Sequence, residues 1–111
     1  MHLLMDIKAE PERLSSVRTI GDLLLDLSRT LQLDIRDLDV KEFPASEAAG
    51  PGVTGYAMLS ESHMNIDTWP EKALVQLCLH SCKAFSVDKV KQVLRANFGP
   101  FEIRYEACLN R

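Results

Sequence analysis

The order of two hydrophobic periodicities along the chain is the feature that most restricts its fold. Short apolar or alternating segments typical of β-strands occur five times, and three- and four-residue spacing typical of amphipathic helices occurs twice. In chain order they predict strand, helix, three strands, helix and strand. Helices that interrupt a sheet whose central strands are consecutive indicate an α+β two-layer sandwich, with a mainly antiparallel sheet and two helices.

The two predicted helices have recognisable ends. The first runs from Val17 to Leu31 with apolar residues on one face, and Ser15 or Ser16 could cap it. The second follows Ser86, a favourable N-cap, and ends at Phe98 because Gly99-Pro100 is a strong stop signal.

The predicted strands cover residues 2–8, 33–43, 53–59, 73–80 and 101–107. The second strand is expected to carry a bulge, since its alternation slips between Ile35 and Leu38. The last strand is expected to bury the face that carries Phe101, Ile103, Tyr105 and Ala107. Ala45 to Gly52 is predicted to be a flexible loop that joins two strands and not two domains.

The length of 111 residues predicts one domain over residues 1–111, and 46% hydrophobic with 26% charged residues is ordinary for a soluble protein. A domain of this size buries only about two-thirds of its unfolded surface. An oligomer interface would bury more, so a homodimer is expected.

The charge pattern argues against nucleic acid and membranes as partners. The net charge is −3 and the chain contains no basic run, so we expect a small-molecule substrate. Met1 to Met5 is too short for a signal peptide, and no segment reaches the length of a membrane span. Cys78, Cys82 and Cys108 do not form the pattern of a disulfide framework, which favours a reducing, cytoplasmic location.

The residues from Glu61 to Glu71 carry the clearest indication of chemistry. They place Ser62 between an acid and His63, in a segment that we expect to be irregular and to lie between two strands. A serine hydroxyl is a weak nucleophile, so a catalytic function would need a neighbouring base and a polarised carbonyl.

Four groups of residues resemble the self-cleavage motif of the bacterial S-adenosylmethionine decarboxylases. The family pattern reads Glu-Ser-His, two variable residues and Ile-His-Thr-Trp-Pro-Glu, preceded by Gly-Val-Ser-Gly and followed by a cysteine. The matching residues here are Glu61-Ser62-His63, Thr68-Trp69-Pro70-Glu71, Cys82 and Gly52-Val53-Thr54-Gly55. The resemblance spans most of the domain.

The resemblance implies that the chain makes its own cofactor. Attack of Ser62 Oγ on the carbonyl carbon of Glu61 would convert the peptide bond into an ester, and β-elimination would cut the chain between these residues. Ser62 would then become a pyruvoyl group at the start of the second fragment. Such a group forms a Schiff base with an amino-acid amine and accepts the electrons released with carbon dioxide.

The resemblance also assigns roles to other residues. Thr54 would assist processing with its hydroxyl, and Cys82 would reprotonate the α-carbon of the substrate, a role that suits a thiol. Phe43 matches an aromatic residue that packs against adenine, and Trp69 and Glu71 would also contact substrate. His63 is either catalytic or hydrogen-bonded to a neighbouring carbonyl.

Two positions depart from the family pattern. Asp67 replaces a histidine that contributes to processing and lies beside the substrate, and Lys83 stands where the family has glycine. An ionised Asp67 would favour a substrate whose far end is a cation. Ornithine or arginine fits that description slightly better than S-adenosylmethionine, and all three belong to polyamine synthesis.

Simpler interpretations stand beside these. Ser62 could be an ordinary strand-end serine, Cys82 a buried structural thiol, and Phe43 and Trp69 core aromatics. Cys78, His80 and Cys82 alternate on a predicted strand and could ligate a metal with His63, but same-face strand residues are poorly spaced for this, so we expect no metal site. The competing function is that of an uncleaved, inactive homologue that serves as a binding or regulatory subunit.

Overall fold

One six-stranded antiparallel sheet organises the protein. The structure is a computed structural model that describes residues 1–44 and 50–110, so most of the predicted loop from Ala45 to Gly52 lies outside the described residues. The strand order is β2-β3-β4-β5-β1-β6. In chain order the elements are β1 (His2–Lys8), α1 (Pro11–Leu14), α2 (Val17–Thr30), β2 (Ile35–Phe43), β3 (Gly52–Leu59), β4 (Ser62–Trp69), a 3₁₀ turn (Pro70–Lys72), β5 (Leu74–Ser81), α3 (Val87–Phe98) and β6 (Glu102–Leu109).

The hydrophobic core lies between one face of the sheet and the helices. The helices contribute apolar residues at three- and four-residue spacing, and the central strands contribute every second residue, as their periodicities require. Gly55 allows this close approach, because a Cβ there would lie 2.9 Å from Leu24 Cδ1 and 3.1 Å from Ile20 Cγ2. The fully buried core side chains include Leu3, Ile20, Leu23, Leu24, Leu27, Met64, Ile66, Leu79, Val90 and Leu94.

The predicted fold class is confirmed, and so are several local signals. Ser16 caps α2 by accepting a hydrogen bond from Thr19 N at 3.0 Å. Ser86 caps α3 in the same way, and α3 ends at Phe98, followed by Gly99 with a φ of +74°. The register of β2 against β3 shifts between Ile35 and Asp37, as the bulge prediction requires.

The expectation that the Glu61–Glu71 segment lies irregularly between strands is wrong. Its residues from Ser62 to Trp69 form β4, so the sheet has six strands where five were predicted. Met64, Ile66 and Thr68 are fully buried and alternate with half-exposed residues. The alternation is hard to recognise in the sequence because the outward residues His63, Asn65 and Asp67 are polar and suggest an irregular segment.

The prediction of one buried face on the last strand is also wrong. Ile103 pairs with Ile7 whereas Tyr105 pairs with Asp6, so a bulge places them on opposite faces of the sheet. Both are exposed, Ile103 by 39% and Tyr105 by 54%. β6 is an edge strand, so it has a strand neighbour on one side only.

The face of the sheet turned away from the helices is called the open face below. It contains both charged and apolar side chains, and its large apolar members Leu4, Tyr56 and Met58 are exposed by 38% to 46%. Cross-strand pairing aligns the residues of the open face in rows. The central residues of the open face are His2, Leu4 and Asp6 of β1, Thr54, Tyr56 and Met58 of β3, His63, Asn65 and Asp67 of β4, and Gln76, Cys78 and His80 of β5.

Candidate active site

The bond between Glu61 and Ser62 lies at a tight turn. β3 ends at Leu59 and β4 begins at Ser62, so Ser60 and Glu61 alone connect the two strands. The turn is held from outside: Ser60 N donates to Asp34 O, and Arg36 Nε donates to Ser60 Oγ, each at 3.0 Å. Glu61 is exposed, and it lines a cavity of about 260 Å³ together with Ser62 and residues of the α2–β2 connection.

The Ser62 hydroxyl is held by a buried serine. Ser62 Oγ donates to Ser81 Oγ at 3.1 Å, and Ser81 Oγ also accepts from Lys83 N at 3.0 Å. Ser81 is completely buried at the end of β5, directly opposite Ser62 in the register. Sequence reasoning missed Ser81, because only the pairing of β4 with β5 shows that the two serines meet.

Thr54 and Asp67 form a second polar pair, on the open face. Thr54 Oγ1 donates to Asp67 Oδ1 at 2.6 Å. Asp67 lies five residues beyond Ser62 on β4, which separates their Cα atoms by about 17 Å. Ser62 and Asp67 also point to opposite faces, because side chains alternate along a strand. One chain therefore does not bring the predicted processing residues to the predicted cleavage site.

A cavity of about 490 Å³ adjoins this pair. The rings of Phe43 and Trp69 meet edge to face beside it, with centroids 5.5 Å apart. A Cβ on Gly52 would clash with the Phe43 ring, so this glycine permits the position of the ring. The cavity is lined by Lys41, Glu42, Phe43, Thr54, Asp67 and Trp69. Glu71 is absent from this lining and is exposed on the 3₁₀ turn.

Cys82 lies at the opposite end of the open face from Asp67, immediately after β5. It is exposed, and with His2, His80 and Leu109 it lines a cavity of about 460 Å³. His63, next to Ser62, stacks on His80 with ring centroids 5.2 Å apart. Cys82, which is expected to protonate the substrate, therefore lies at the same end of the sheet as Ser62 and His63, which follow the predicted cleavage site.

In residues 1–44 and 50–110, His, Cys, Asp and Glu side chains do not form a group of three or more that could hold a metal ion. Over the same residues, none of the helices is both long enough and apolar enough to cross a membrane.

Comparison with known proteins decides the family. The sequence model described as S-adenosylmethionine decarboxylase matches residues 1–110. The chain belongs to the S-adenosylmethionine decarboxylase family. The resemblance drawn from its motifs is thereby confirmed, and the family is one of pyruvoyl-dependent decarboxylases whose cofactor forms from a serine by self-processing.

Individual members of the S-adenosylmethionine decarboxylase family agree with this assignment. An S-adenosylmethionine decarboxylase proenzyme of Clostridium botulinum is 30% identical over 107 residues, covering 93% of this chain and 88% of that protein. One of Thermodesulfovibrio yellowstonii is 28% identical over 82 residues, which cover 73% of this chain but only 57% of the relative. The crystal structure of the adenosylmethionine decarboxylase from Aquifex aeolicus shares the fold, with a TM-score of 0.76 at 21% identity over 96% of this chain and 86% of that one.

The local structure around Ser62 fits the cofactor of the S-adenosylmethionine decarboxylase family. A pyruvoyl group forms where a serine follows the broken bond, and Ser62 is the first residue of a strand after an exposed turn. A break at this point leaves both adjoining strands in the sheet. The residues present are therefore compatible with self-processing.

Proposed function

We propose that this protein cleaves itself between Glu61 and Ser62 and acts as a pyruvoyl-dependent decarboxylase of polyamine synthesis. The observation that carries the proposal is the position of Ser62. It begins β4 directly after an exposed turn, and its hydroxyl is fixed by the buried Ser81. A fixed hydroxyl next to an accessible peptide bond is the arrangement that intramolecular attack requires.

The pyruvoyl group would supply the electron sink for decarboxylation when it is formed. Proton donation and substrate binding would fall to side chains of the protein. Cys82 gives its proton to the substrate α-carbon, since it is an exposed thiol at the end of the open face nearest Ser62. Phe43 and Trp69 provide the aromatic wall of the substrate cavity, and Asp67 supplies a carboxylate within it.

We propose further that the working unit is a homodimer packed through the open face. The helical face is already covered by α2 and α3, whereas Leu4, Tyr105 and Leu109 are exposed on the other side. A two-fold axis in the interface and perpendicular to the strands would place the Thr54–Asp67 end of one sheet over the Ser62–Cys82 end of its partner. This arrangement brings the partner's Thr54–Asp67 pair to the open side of the Glu61–Ser62 peptide bond and to Cys82, from which one chain keeps its own pair about 17 Å away.

The leading substrate is S-adenosylmethionine, because the relatives that match are named for it. Ornithine or arginine is the second candidate, favoured by Asp67 alone, whose carboxylate lines the cavity beside Phe43 and Trp69. All three substrates have an α-amine, an α-carboxylate and a cation further along. The three cysteines form no disulfide, which fits the cytoplasmic location we propose.

An intact-mass spectrum of the purified protein tests the cleavage. We expect two species, residues 1–61 and residues 62–111 with a pyruvoyl terminus, and a single uncleaved mass for Ser62→Ala. The wild type would then be assayed for carbon dioxide release from S-adenosylmethionine, ornithine and arginine. If the wild type stays uncleaved and Asp67→His starts cleavage, the protein is instead an inactive homologue that acts as a binding or regulatory subunit.

Co-expression of two variants tests the shared site. Ser62→Ala cannot be cut, and Thr54→Ala/Asp67→Ala lacks the polar pair, so neither should process alone. In a mixed dimer the second chain should be cut with the help of the first. Absence of cleavage in a mixture that forms dimers would show that Thr54 and Asp67 do not act across this interface.

A further inference from the structure

The three histidines of the chain lie in one row across the open face. His80 of β5 pairs with His2 of β1 on one side and with His63 of β4 on the other. The His2 and His80 rings meet edge to face with centroids 5.4 Å apart, and the His63 and His80 rings stack at 5.2 Å. His80 is therefore the centre of a continuous row of imidazoles on three adjacent strands.

This row lies beside Cys82, the thiol that protonates the substrate in the proposed function. His80 and Cys82 are two residues apart, and both line the cavity of about 460 Å³. Cys82 follows the end of β5 directly, so its Cα lies within about 7 Å of the His80 Cα, a distance over which one water molecule can bridge the two side chains. His2 lines the same cavity, which is open to solvent, so the row connects the thiol to bulk water.

The other titratable groups around His80 have defined partners or positions. His2 and His63 face it from the two neighbouring strands, and Cys78 precedes it on its own strand. Cys78 Sγ lies 3.2 Å from His2 Nε2, and burial raises the pKa of this thiol, which keeps it protonated at neutral pH. The amino group of Met1, which lines the cavity, donates to Ser81 O at 2.7 Å.

We propose that His80 returns the proton to Cys82 after each turnover. The inference rests on the proposed decarboxylase function. When Cys82 gives its S–H proton to the substrate α-carbon, it is left as a thiolate. The imidazolium of His80 then donates its N–H proton to that sulfur, directly or through the bridging water, and regains a proton from solvent. His80 acts through Cys82 and does not contact the substrate.

Imidazole suits this step for a general reason. Its unperturbed pKa of about 6.5 allows it to lose and regain a proton near neutral pH, which glutamine or phenylalanine cannot do. Proton transfer by a positioned side chain commonly accelerates a step by about 10²- to 10⁴-fold. Only the reprotonation of Cys82 depends on His80, so replacing His80 should leave substrate affinity unchanged.

His80→Gln tests the proposal, and Arg29→Gln, an exposed substitution on α2 away from both cavities and from the open face, is the control. We expect His80→Gln to be cleaved like the wild type, to lose at least about tenfold in kcat and to keep its KM. Added imidazole should restore part of kcat in His80→Gln only. An unchanged kcat, a change confined to KM, or no rescue by imidazole would overturn the proposal.

The wild type provides a second test that does not depend on a variant's folding. Its kcat should fall as the pH rises, because the imidazolium that donates the proton is then lost. A kcat that does not fall with rising pH would overturn the inference for His80 while leaving the decarboxylase function intact. A wild type that is not cleaved would refute the proposed function, and the inference with it.

Discussion

Thr54 and Asp67 are joined by a hydrogen bond of 2.6 Å between Thr54 Oγ1 and Asp67 Oδ1. The pair connects β3 to β4 on the open face and forms one side of the cavity that Phe43 and Trp69 close on the other. Since the hydroxyl donates, the carboxylate keeps its second oxygen for a ligand. The aspartate thus serves both as a structural acceptor and as a negative charge in the cavity.

Asp67→Asn separates these two roles. The amide still offers an oxygen to Thr54 but carries no charge, so binding of a substrate with a distal cation should weaken by about 1.5 kcal/mol or more. We expect kcat/KM to fall about tenfold for such a substrate, measured by carbon dioxide release. Asp22→Asn is the control, because Asp22 is an exposed carboxylate on α2, paired with Arg18 and away from the cavity. Equal losses in both variants would contradict the role of Asp67.

Ser81→Ala should impair both stability and cleavage. It removes the oxygen that accepts from Ser62 Oγ and from Lys83 N. A buried donor left without its partner destabilises a protein by about 1–3 kcal/mol, and the released Ser62 hydroxyl should attack more slowly. Urea unfolding would measure the first effect, and the time course of the mass spectrum the second.

The matched control for Ser81 is Ser28→Ala. Ser28 is also buried, but its hydroxyl donates to Leu25 O within α2, far from the turn. We expect Ser28→Ala to change the free energy of unfolding without changing the cleavage rate. If both variants were processed at the wild-type rate, the bond between Ser62 and Ser81 would have no part in cleavage.

Gly55→Ala and Gly21→Ala should have opposite effects on the free energy of unfolding. A Cβ at Gly55 would lie 2.9 Å from Leu24 Cδ1 and 3.1 Å from Ile66 Cγ2, so the core must shift. Overpacking of this kind destabilises by about 1–3 kcal/mol. At Gly21, inside α2, the nearest atom to a new Cβ is 4.0 Å away, so Ala should stabilise by about 0.5–1 kcal/mol. Chemical denaturation of both variants would decide; a stabilising Gly55→Ala would refute the packing argument.

Cys78 should react more slowly with iodoacetamide than Cys108. Burial raises the pKa of the Cys78 thiol, whereas Cys108 is exposed on the edge strand β6. At pH 8.5 less of Cys78 is thiolate, and access to it is also restricted. Peptide mapping after timed alkylation would show the order, with urea-unfolded protein as the control in which both react alike. Faster modification of Cys78 in the folded protein would contradict its placement.

The same shift has a defined consequence for stability. The folded pKa of Cys78 is raised, so the folded state favours the protonated thiol. The stability that the raised pKa of Cys78 gives the folded protein is fully present below the ordinary thiol pKa of about 8.5. It is lost as the pH rises through the pKa of Cys78 in the folded protein. We therefore expect the free energy of unfolding to fall less between about pH 7 and a pH above about 9 in Cys78→Ser than in the wild type, as measured by chemical denaturation at both pH values.

The sequence predicted the elements whose two faces differ strongly in polarity. α2 and α3 were found with their serine caps, because capping and helical periodicity are local properties. β4 was missed because its outward side holds His63, Asn65 and Asp67, polar residues that suggest an irregular segment when read without the sheet. The bulge in β6 depends on its pairing with β1 and has no local signature.

The family motif supplies the candidate residues of the site but not their arrangement. It points to Ser62, Thr54 and Cys82, and to Asp67 by its departure from the motif, yet only the strand pairing shows that Thr54 lies at the other end of the sheet from Ser62. Ser81 and His80 were not recognised as partners, since their neighbours are set by the register of three strands. Spatial relations between distant segments are not encoded in any single stretch of sequence.

The strand order has a consequence for a chain cut before Ser62. The first fragment would contain β1, β2 and β3, and the second β4, β5 and β6, yet β1 lies between β5 and β6. The two fragments would thus be interleaved, each holding the other by strand pairing on more than one side. Once such a protein is unfolded, its recovery becomes a bimolecular reaction that slows on dilution, whereas the uncut chain refolds at a rate independent of concentration.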